Sequence, residues 1–246
     1  MAKELVKIKG LPDKHVHRFL ARMFRCCALQ TKEEVAAASK LVSSMGLTWH
    51  HDPQKNWDTL KCLMYVLTNC RPKLPVLDAG SSKSVICSWL SALGYRELYA
   101  CDLLEKDADF FKKFGIKFSV QDLTNTDYPD DFFQAVTCVS VIEHNVDLEK
   151  FCSEMRRVLR PGGLLLVSTD YWNEPIDCSG IYPYGVEAGE MHIFSAQELD
   201  DFVELAARHD LKICSPFDPT TRDKAVRWDR VDRDYTFAFL AFRRKG

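Results

Sequence analysis

Short apolar runs alternate with amphipathic stretches along the chain from residue 73 onward. Apolar runs of this length are typical of strands buried on both faces of a parallel sheet, and amphipathic stretches are typical of the helices that cover such a sheet. The pattern therefore predicts an α/β fold with a doubly wound, mostly parallel sheet. The seven predicted strands span residues 75–79, 97–101, 116–120, 134–139, 164–169, 211–215 and 235–242.

Two of the covering helices have clear ends in the sequence. The helix between the fourth and fifth strands is expected to stop at Pro161-Gly162-Gly163. Ser195 and Glu198 have the spacing of a capping box, which predicts a second helix over residues 196–209. The buried stripe of the earlier helix consists of Leu148, Phe151, Met155, Val158 and Leu159.

The first 72 residues show helical periodicity instead. They predict an N-terminal helical extension, or lid, over residues 1–72, followed by a core over residues 73–246 that contains a substrate loop at 170–193. Thr31 and Glu34 have capping-box spacing at the start of the second helix. The first helix is expected to bury Val16, Phe19, Leu20, Met23, Phe24 and Cys27, and the third Trp57, Leu60, Met64 and Leu67.

Composition narrows the range of partners. The chain has 246 residues, and its 33 basic and 35 acidic side chains leave a net charge of -2, which offers little attraction for nucleic acid or an anionic membrane. Residues 1–31 hold seven Lys or Arg against two acidic residues, but such a run is more often a solvated helix face. No apolar run approaches the roughly 18 residues of a membrane span. We expect a cytoplasmic protein with a small-molecule partner and ten reduced cysteines.

The first predicted strand ends in Asp78-Ala79-Gly80, at a point where a doubly wound sheet binds ligands. Gly80 would let the backbone approach a ligand without a Cβ in between. Asp102 closes the second strand 22 residues after Gly80, where a carboxylate can accept both hydroxyls of a ribose. Taken alone, this pair also fits a dinucleotide-binding dehydrogenase, so the two alternatives remain open at this point.

The segments that follow resemble one family in order and spacing. They are Gln121-Asp122-Leu123-Thr124, Phe132-Phe133-Gln134-Ala135-Val136, Val141-Ile142-Glu143-His144 and the stretch from Arg157 to Val167. Over residues 74–215 the chain resembles the type 11 branch of the class I S-adenosylmethionine-dependent methyltransferases. The resemblance implies a seven-stranded sheet with a last antiparallel strand, S-adenosylmethionine as cofactor and S-adenosylhomocysteine as product.

The resemblance also implies roles for individual residues. Asp78, Gly80 and Ser81 would lie at the methionine end of the cofactor, and Asp102 would hold the ribose diol. Asp122 would accept from the adenine amino group, with Leu103 and Leu123 on either side of the ring, Gln121 beside it, and Ser140 and Val141 at the methionine ammonium. As an alternative, Asp102 and Asp122 are ordinary turn formers at strand ends. The family pattern has glycine where this chain has Ser82 and Ser84, and a serine can instead cap the next helix.

Methyl transfer needs the acceptor held in line with the methyl group, and a hydroxyl acceptor usually needs a base. The two candidate bases are His144 and His192, and each has a structural alternative as a loop anchor. No metal site is expected, because the histidines lack ligand spacing.

The substrate loop is long for a connection between a strand and a helix, which suggests a functional role. Its aromatic residues would wall the acceptor, and its acidic residues Glu174, Asp177, Glu187 and Glu190 would suit hydroxyls or an amine. The alternative is that the aromatic residues only fix the loop to the core. The predicted acceptor contacts are His51, Trp57, Tyr171, Trp172, Tyr182 and Tyr184.

These observations favour O-methylation of a small molecule such as a sugar, a lipid head group or a natural product. Two alternatives remain: an N-methyltransferase of a small amine, and a cofactor-binding partner subunit whose catalysis is weakened by the serine-substituted loop.

Overall fold

The computed structural model describes residues 14–82, 84–105, 107–186 and 189–246. Residues 1–13 of the predicted extension, and Glu187 of the substrate loop, lie outside this part. The described helices are α1 (Lys14–Arg22), α2 (Lys32–Ser44), α3 (Asn56–Asn69), α4 (Ile86–Ala92), α5 (Ala108–Lys113), α6 (Leu148–Val158) and α7 (Ala196–Arg208). The described strands are β1 (Cys27–Ala28), β2 (Val76–Ala79), β3 (Leu98–Asp102), β4 (Lys117–Val120), β5 (Phe133–Val139), β6 (Leu159–Tyr171), β7 (Leu211–Ile213), β8 (Val226–Trp228) and β9 (Arg233–Arg244).

The sheet has the predicted doubly wound topology. Its order is β1-β9-β6-β5-β2-β3-β4, and β7 and β8 also pair with β9. The β2, β3, β4, β5 and β6 strands are parallel, whereas β9 is antiparallel to β6 and to β7. All seven predicted strands are therefore confirmed, including the last antiparallel one. Because β2 lies between β3 and β5, its carboxyl end is the point where the strand order reverses.

Strand β6 is longer than the sequence predicts. Helix α6 ends at Val158, and Leu159 already belongs to β6, so its assignment to the helix is wrong. The pairing with β5 shifts register between the pairs Phe133–Leu159 and Ala135–Leu164, which leaves the Pro-Gly-Gly segment as an irregularity in the strand. Gly162 has a φ of +78° there, a conformation that glycine adopts readily.

The start of the described chain differs from the predicted helical face. Helix α1 ends at Arg22, so Met23 and Phe24 lie beyond it, and Cys27 is in β1, paired with Phe239 of β9. The N-terminal segment thus packs on the core and adds an edge strand to its sheet. No described helix is long and apolar enough to cross a bilayer.

One of the two predicted capping boxes is present. At α7, the Ser195 hydroxyl accepts from the Glu198 amide, and the Glu198 carboxylate accepts from the Ser195 amide at 2.8 Å. At α2, Thr31 makes no side-chain cap to the helix, so the second predicted box is wrong. Glu34 instead accepts from the Arg22 guanidinium at 2.8 Å and from the Trp57 indole N–H at 3.1 Å, which joins the first three helices.

Candidate active site

The carboxyl end of β2 holds a buried carboxylate. One oxygen of Asp78, Oδ1, accepts from the Thr137 hydroxyl at 2.6 Å. The other, Oδ2, has no hydrogen-bond partner among the described residues, and neither has the buried Ser81 hydroxyl nearby in the chain. Burial raises the pKa of Asp78 to about 6. Two buried polar groups are therefore left without partners where the resemblance implies the methionine end of the cofactor.

Gly80 is required here for its backbone conformation and for its packing. Its φ is +72°, and a Cβ at this position would lie 2.4 Å from the Cγ2 atom of Val141. The neighbour that excludes a side chain at Gly80 is therefore Val141, at the end of β5. This contact holds the β2 and β5 loops together at the edge of the sheet.

The two serines that replace glycines shape the loop after β2. The Ser82 amide donates to Asp102 Oδ2 at 3.0 Å, and its hydroxyl donates to Asp107 at 3.1 Å. The Ser84 hydroxyl accepts from the Ile86 amide at 3.3 Å, at the start of α4. The N-cap of α4 is Val85, which makes no side-chain cap, so the expectation that a serine caps this helix is wrong.

The residues predicted at the ribose and adenine make turn contacts as well. Asp102 Oδ1 accepts from the Leu104 amide at 3.1 Å, and Asp122 Oδ1 accepts from the amide and the hydroxyl of Thr124 at 2.8 Å each. Both carboxylates therefore make the contacts that are expected of ordinary turn formers at strand ends. Leu103 is 67% exposed, so its side chain is free to cover a flat ring, whereas Leu123 is buried. Gln121 is held by Ser119 and by the Asp127 amide.

A second cluster of polar side chains lies where β5 and β6 end. We call Lys55, Asp58, Glu143, Asp170 and Tyr235 the acidic pocket. Lys55 donates to Asp58 at 3.2 Å and also to the Ser140 hydroxyl, and its Nζ lies 3.3 Å from the centre of the Phe237 ring. The Ser168 hydroxyl donates to Asp58 at 2.7 Å, and the Thr169 hydroxyl donates to Glu143 Oε2 at 3.0 Å.

Burial and like charges perturb the carboxylates of the acidic pocket. The pKa of Asp170 is raised well above its ordinary value, first by burial and then by the nearby Glu143. Tyr235 hydrogen-bonds to Asp170, and burial together with that carboxylate raises the pKa of the phenol. Lys55 keeps a raised pKa despite its burial, because Asp58, Asp170 and Glu143 favour its charged form.

The structure corrects two of the predicted acceptor contacts. Trp57 is fully buried with its indole N–H on Glu34, and Tyr171 is fully buried with its hydroxyl 2.6 Å from Asn173. Both are core positions whose polar groups are already engaged within the protein, so we do not propose either as a contact of the acceptor.

The remaining predicted acceptor residues lie at the surface around the same edge. Tyr184 is 59% exposed. Burial of part of the residue is the main cause that raises its pKa, and the nearby carboxyl groups of Asp170 and Glu143 raise it further. Tyr182 is held by Glu190 at 2.9 Å, and Trp172 lies under the Lys224 ammonium. The exposed His51 stacks beside His50, whose pKa burial lowers to about 4.

The two histidines predicted as bases take different positions. The His144 ring lies edge-on to Tyr184, with 5.2 Å between ring centres. His192 pairs with Glu198 at 3.1 Å and keeps 45% of its side chain exposed. It lines a groove of about 700 Å³, between the loop after β5 and helix α7, that also reaches Glu143.

Sequence reasoning missed most of the acidic pocket. Glu143 was noted only as part of a motif, and Asp170 only as the first residue of a loop. Two signals were available in the sequence. Lys55 and Asp58 have i,i+3 spacing at the start of a helix, and the carboxylate Asp170 ends a buried strand. Neither signal shows that residues from four distant segments meet.

Comparison with known proteins agrees with this geometry. Residues 77–167 match a family model described as a methyltransferase domain, of type 11. The ubiquinone biosynthesis O-methyltransferase of Rickettsia conorii is 27% identical over 108 residues, which are 42% of this chain and 37% of that protein. The same enzyme of Rickettsia felis is 28% identical over 102 residues, 39% of this chain and 41% of that protein. The chain thus spans less than half the length of the curated relatives it matches.

Solved structures share the fold at low identity. An S-adenosylmethionine-dependent methyltransferase from Mesorhizobium loti superposes with a TM-score of 0.54 at 19% identity, covering 76% of this chain and 98% of that one. The 1,6-didemethyltoxoflavin-N1-methyltransferase of Burkholderia thailandensis, which has S-adenosylhomocysteine bound, gives a TM-score of 0.56 at 20% identity, over 89% and 92% of the two chains. The chain therefore has the fold of the S-adenosylmethionine-dependent methyltransferases. Its residues 77–167 are the part that matches the type 11 methyltransferase domain.

Proposed function

We propose that the chain transfers the methyl group of S-adenosylmethionine to a hydroxyl of a small molecule. The observation that carries the proposal is the acidic pocket beside the loop that would hold the cofactor. The two regions share Ser140, whose hydroxyl accepts from Lys55 and which precedes the Val141 side chain packed on Gly80. A buried proton acceptor and the sheet edge that we propose holds the cofactor thus lie side by side.

The residues present fit the cofactor. Asp78 Oδ2 and the Ser81 hydroxyl are buried without partners, as expected of groups that meet a polar ligand. In this proposal Asp78, Gly80, Ser81, Ser140 and Val141 hold the methionine end, Asp102 holds the ribose, and Leu103, Gln121, Asp122 and Leu123 surround the adenine. When bound, the cofactor supplies an electrophilic methyl group.

We assign the proton-accepting role to Asp170 rather than to a histidine. Asp170 is buried, and its raised pKa makes its carboxylate a stronger base than an ordinary aspartate. Tyr235 hydrogen-bonds to it and so fixes its orientation. His192 is engaged by Glu198 near the start of α7, and His144 packs on Tyr184. Both histidines are therefore proposed as anchors that shape the mouth of the site.

The names of the curated relatives support oxygen as the methylated atom, since both are ubiquinone biosynthesis O-methyltransferases. The net charge of -2 supports a small molecule rather than nucleic acid. N-methylation is the second candidate, because an acidic pocket also attracts an amine.

The proposal is tested with labelled S-adenosylmethionine and fractionated small-molecule extracts as acceptors. We expect Asp170→Asn to lose about 100-fold or more in kcat, the usual worth of a general base. The kcat values of His192→Gln and His144→Gln are expected to stay within about tenfold of wild type. Asp177→Asn, in the same loop as Asp170, is the matched control.

Calorimetry with S-adenosylhomocysteine separates catalysis from binding in these variants. If Asp170→Asn loses kcat but binds S-adenosylhomocysteine with an affinity within about twofold of wild type, the assignment of Asp170 as the base is supported. Full activity of Asp170→Asn would contradict it. Cofactor binding by the wild type with no labelled product from any fraction would favour the partner-subunit alternative.

A further inference from the structure

The acidic pocket contains more acidic than basic side chains. It has three carboxyl groups, on Asp58, Glu143 and Asp170, against the single amino group of Lys55. Lys55 is already engaged by Asp58, by Ser140 and by the face of Phe237. Among the described residues, neither Glu143 nor Asp170 has an ion pair of its own.

Glu143 is the carboxylate with unused hydrogen-bonding capacity. Its Oε2 accepts from Thr169, whereas its Oε1 has no partner among the described residues. The residue is only 1% exposed, so bulk water does not serve as that partner. A buried carboxyl oxygen without a partner is unfavourable, so the site is incomplete until a donor reaches it.

The groove that reaches Glu143 has the same charge. Its wall carries the carboxylates of Glu190, Glu198 and Asp201, against the guanidinium of Arg208 and the imidazole of His192. The exposed ring of Tyr184 lies 5.9 Å from the Trp228 ring and is close enough to Glu143 and Asp170 for these carboxyl groups to act on its phenol. Carboxylates opposite aromatic rings attract and hold organic cations.

A metal ion is the other kind of cation to consider. The described histidine, cysteine, aspartate and glutamate side chains form no group of three that could hold a metal. An ammonium needs no such convergence, because its N–H groups donate separately to a carboxylate, a hydroxyl and a ring face.

We propose that the methyl acceptor carries a protonated amine in addition to the hydroxyl that is methylated, and that Glu143 Oε1 receives this amine. The inference rests on the proposed function, and it narrows the substrate class to amino sugars and amino alcohols. Glu143 acts as the specificity-determining residue, and Asp170 remains free to accept the hydroxyl proton.

The test is a calorimetric titration of the protein saturated with S-adenosylhomocysteine. Three matched pairs serve as probes: glucosamine and glucose, glucosamine and N-acetylglucosamine, and ethanolamine and ethylene glycol. We expect each amine to bind at least about tenfold more tightly than its neutral partner, because the amine gains a charge-assisted hydrogen bond to Glu143. Glu143→Gln is expected to abolish the preference and to keep S-adenosylhomocysteine affinity within about twofold. Glu33→Gln, on the exposed face of α2, is the control and is expected to keep both the preference and the affinity.

Equal binding within all three pairs, no detectable binding of any amine, or an amine preference that survives in Glu143→Gln would overturn the proposal. If Glu143→Gln does not fold, Glu143→Asp tests the same point, since it keeps the charge and is expected to keep the preference at reduced affinity. The proposed function would fail on different results, namely no binding of S-adenosylhomocysteine or no methyl transfer to any hydroxyl. Both of these can be measured without an amine, so the two failures are distinguishable.

Discussion

Asp78 illustrates how a binding residue can reduce the stability of the free protein. Its pKa is about 6 because it is buried, against an ordinary value of 3.8. The folded state therefore holds the proton more tightly than the unfolded state, and stability is lost as the pH rises through this range. Above about pH 6 the folded protein holds a buried charge at Asp78, which the ammonium of a bound cofactor would offset.

Asp78→Asn is expected to remove this pH dependence. Between about pH 4 and pH 8, the free energy of unfolding of the cofactor-free wild type should fall by about 3 kcal/mol relative to the variant, the equivalent of two pKa units. Denaturant unfolding at both pH values measures the difference, and calorimetry should show weaker cofactor binding by the variant. Parallel pH profiles of the two proteins would contradict this account of Asp78.

Gly80→Ala is expected to destabilise the protein by about 2–4 kcal/mol, because it combines a strained φ with a clash against Val141. Gly94→Ala is the matched control, since Gly94 also has a positive φ but nothing lies within 4 Å of an added Cβ. The control should cost about 1 kcal/mol in chemical denaturation. If both substitutions cost the same, the contact with Val141 is not the reason for the glycine.

The pH dependence of methyl transfer reports on Asp170. Burial and Glu143 raise its pKa, and Lys55 and Tyr235 lower it without cancelling the shift. The unprotonated base therefore becomes available only above the ordinary carboxylate range, and kcat should still rise with pH above that range. A kcat profile from acid to alkaline pH tests this, and a rate already maximal near pH 5 would exclude Asp170 as the base.

At the scale of elements, the two predicted capping boxes show where local sequence suffices. Ser195 and Glu198 lie at a helix start, and the predicted contacts form although Glu198 also pairs with His192. Glu34 is taken by Arg22 and Trp57, which belong to other helices and are invisible to a local pattern. Tertiary contacts overrode the local signal at α2.

Ser195→Ala should therefore cost more stability than Thr31→Ala. We expect about 1 kcal/mol for the loss of the α7 cap and a few tenths of a kcal/mol at Thr31, which makes no side-chain cap to α2. Urea denaturation of both variants measures the two values under identical conditions. An equal cost would show that Thr31 caps its helix in solution.

Strands β2, β5, β6 and β9 were predictable because each contains an apolar run bounded by polar turns. The strands β1 and β8 have only two and three residues, too few to show a pattern, and β7, also of three residues, was predictable only as part of the longer stretch 211–215. The register shift across Pro161-Gly162-Gly163 was also hidden, because a proline and two glycines equally suit a helix end.

At the scale of the whole molecule, the edge proposed to hold the cofactor was predictable and the acidic pocket was not. Asp78 and Asp102 lie at the carboxyl ends of strands and Asp122 just after one, so the parallel topology brings them to one edge. The acidic pocket needs Lys55 from the turn before α3, Glu143 after β5, Asp170 from β6 and Tyr235 from β9. Its formation depends on how the N-terminal segment packs on the sheet, which no motif encodes.

The most direct test of the central claim is calorimetric titration of the purified protein with S-adenosylmethionine, with Asp102→Ala and the exposed control Asp109→Ala beside the wild type. The account predicts that the wild type and Asp109→Ala bind alike and that Asp102→Ala binds at least about tenfold more weakly, because it loses charge-assisted hydrogen bonds to the ribose. No binding by the wild type, or equal binding by Asp102→Ala, would contradict the assignment of this edge as the cofactor site.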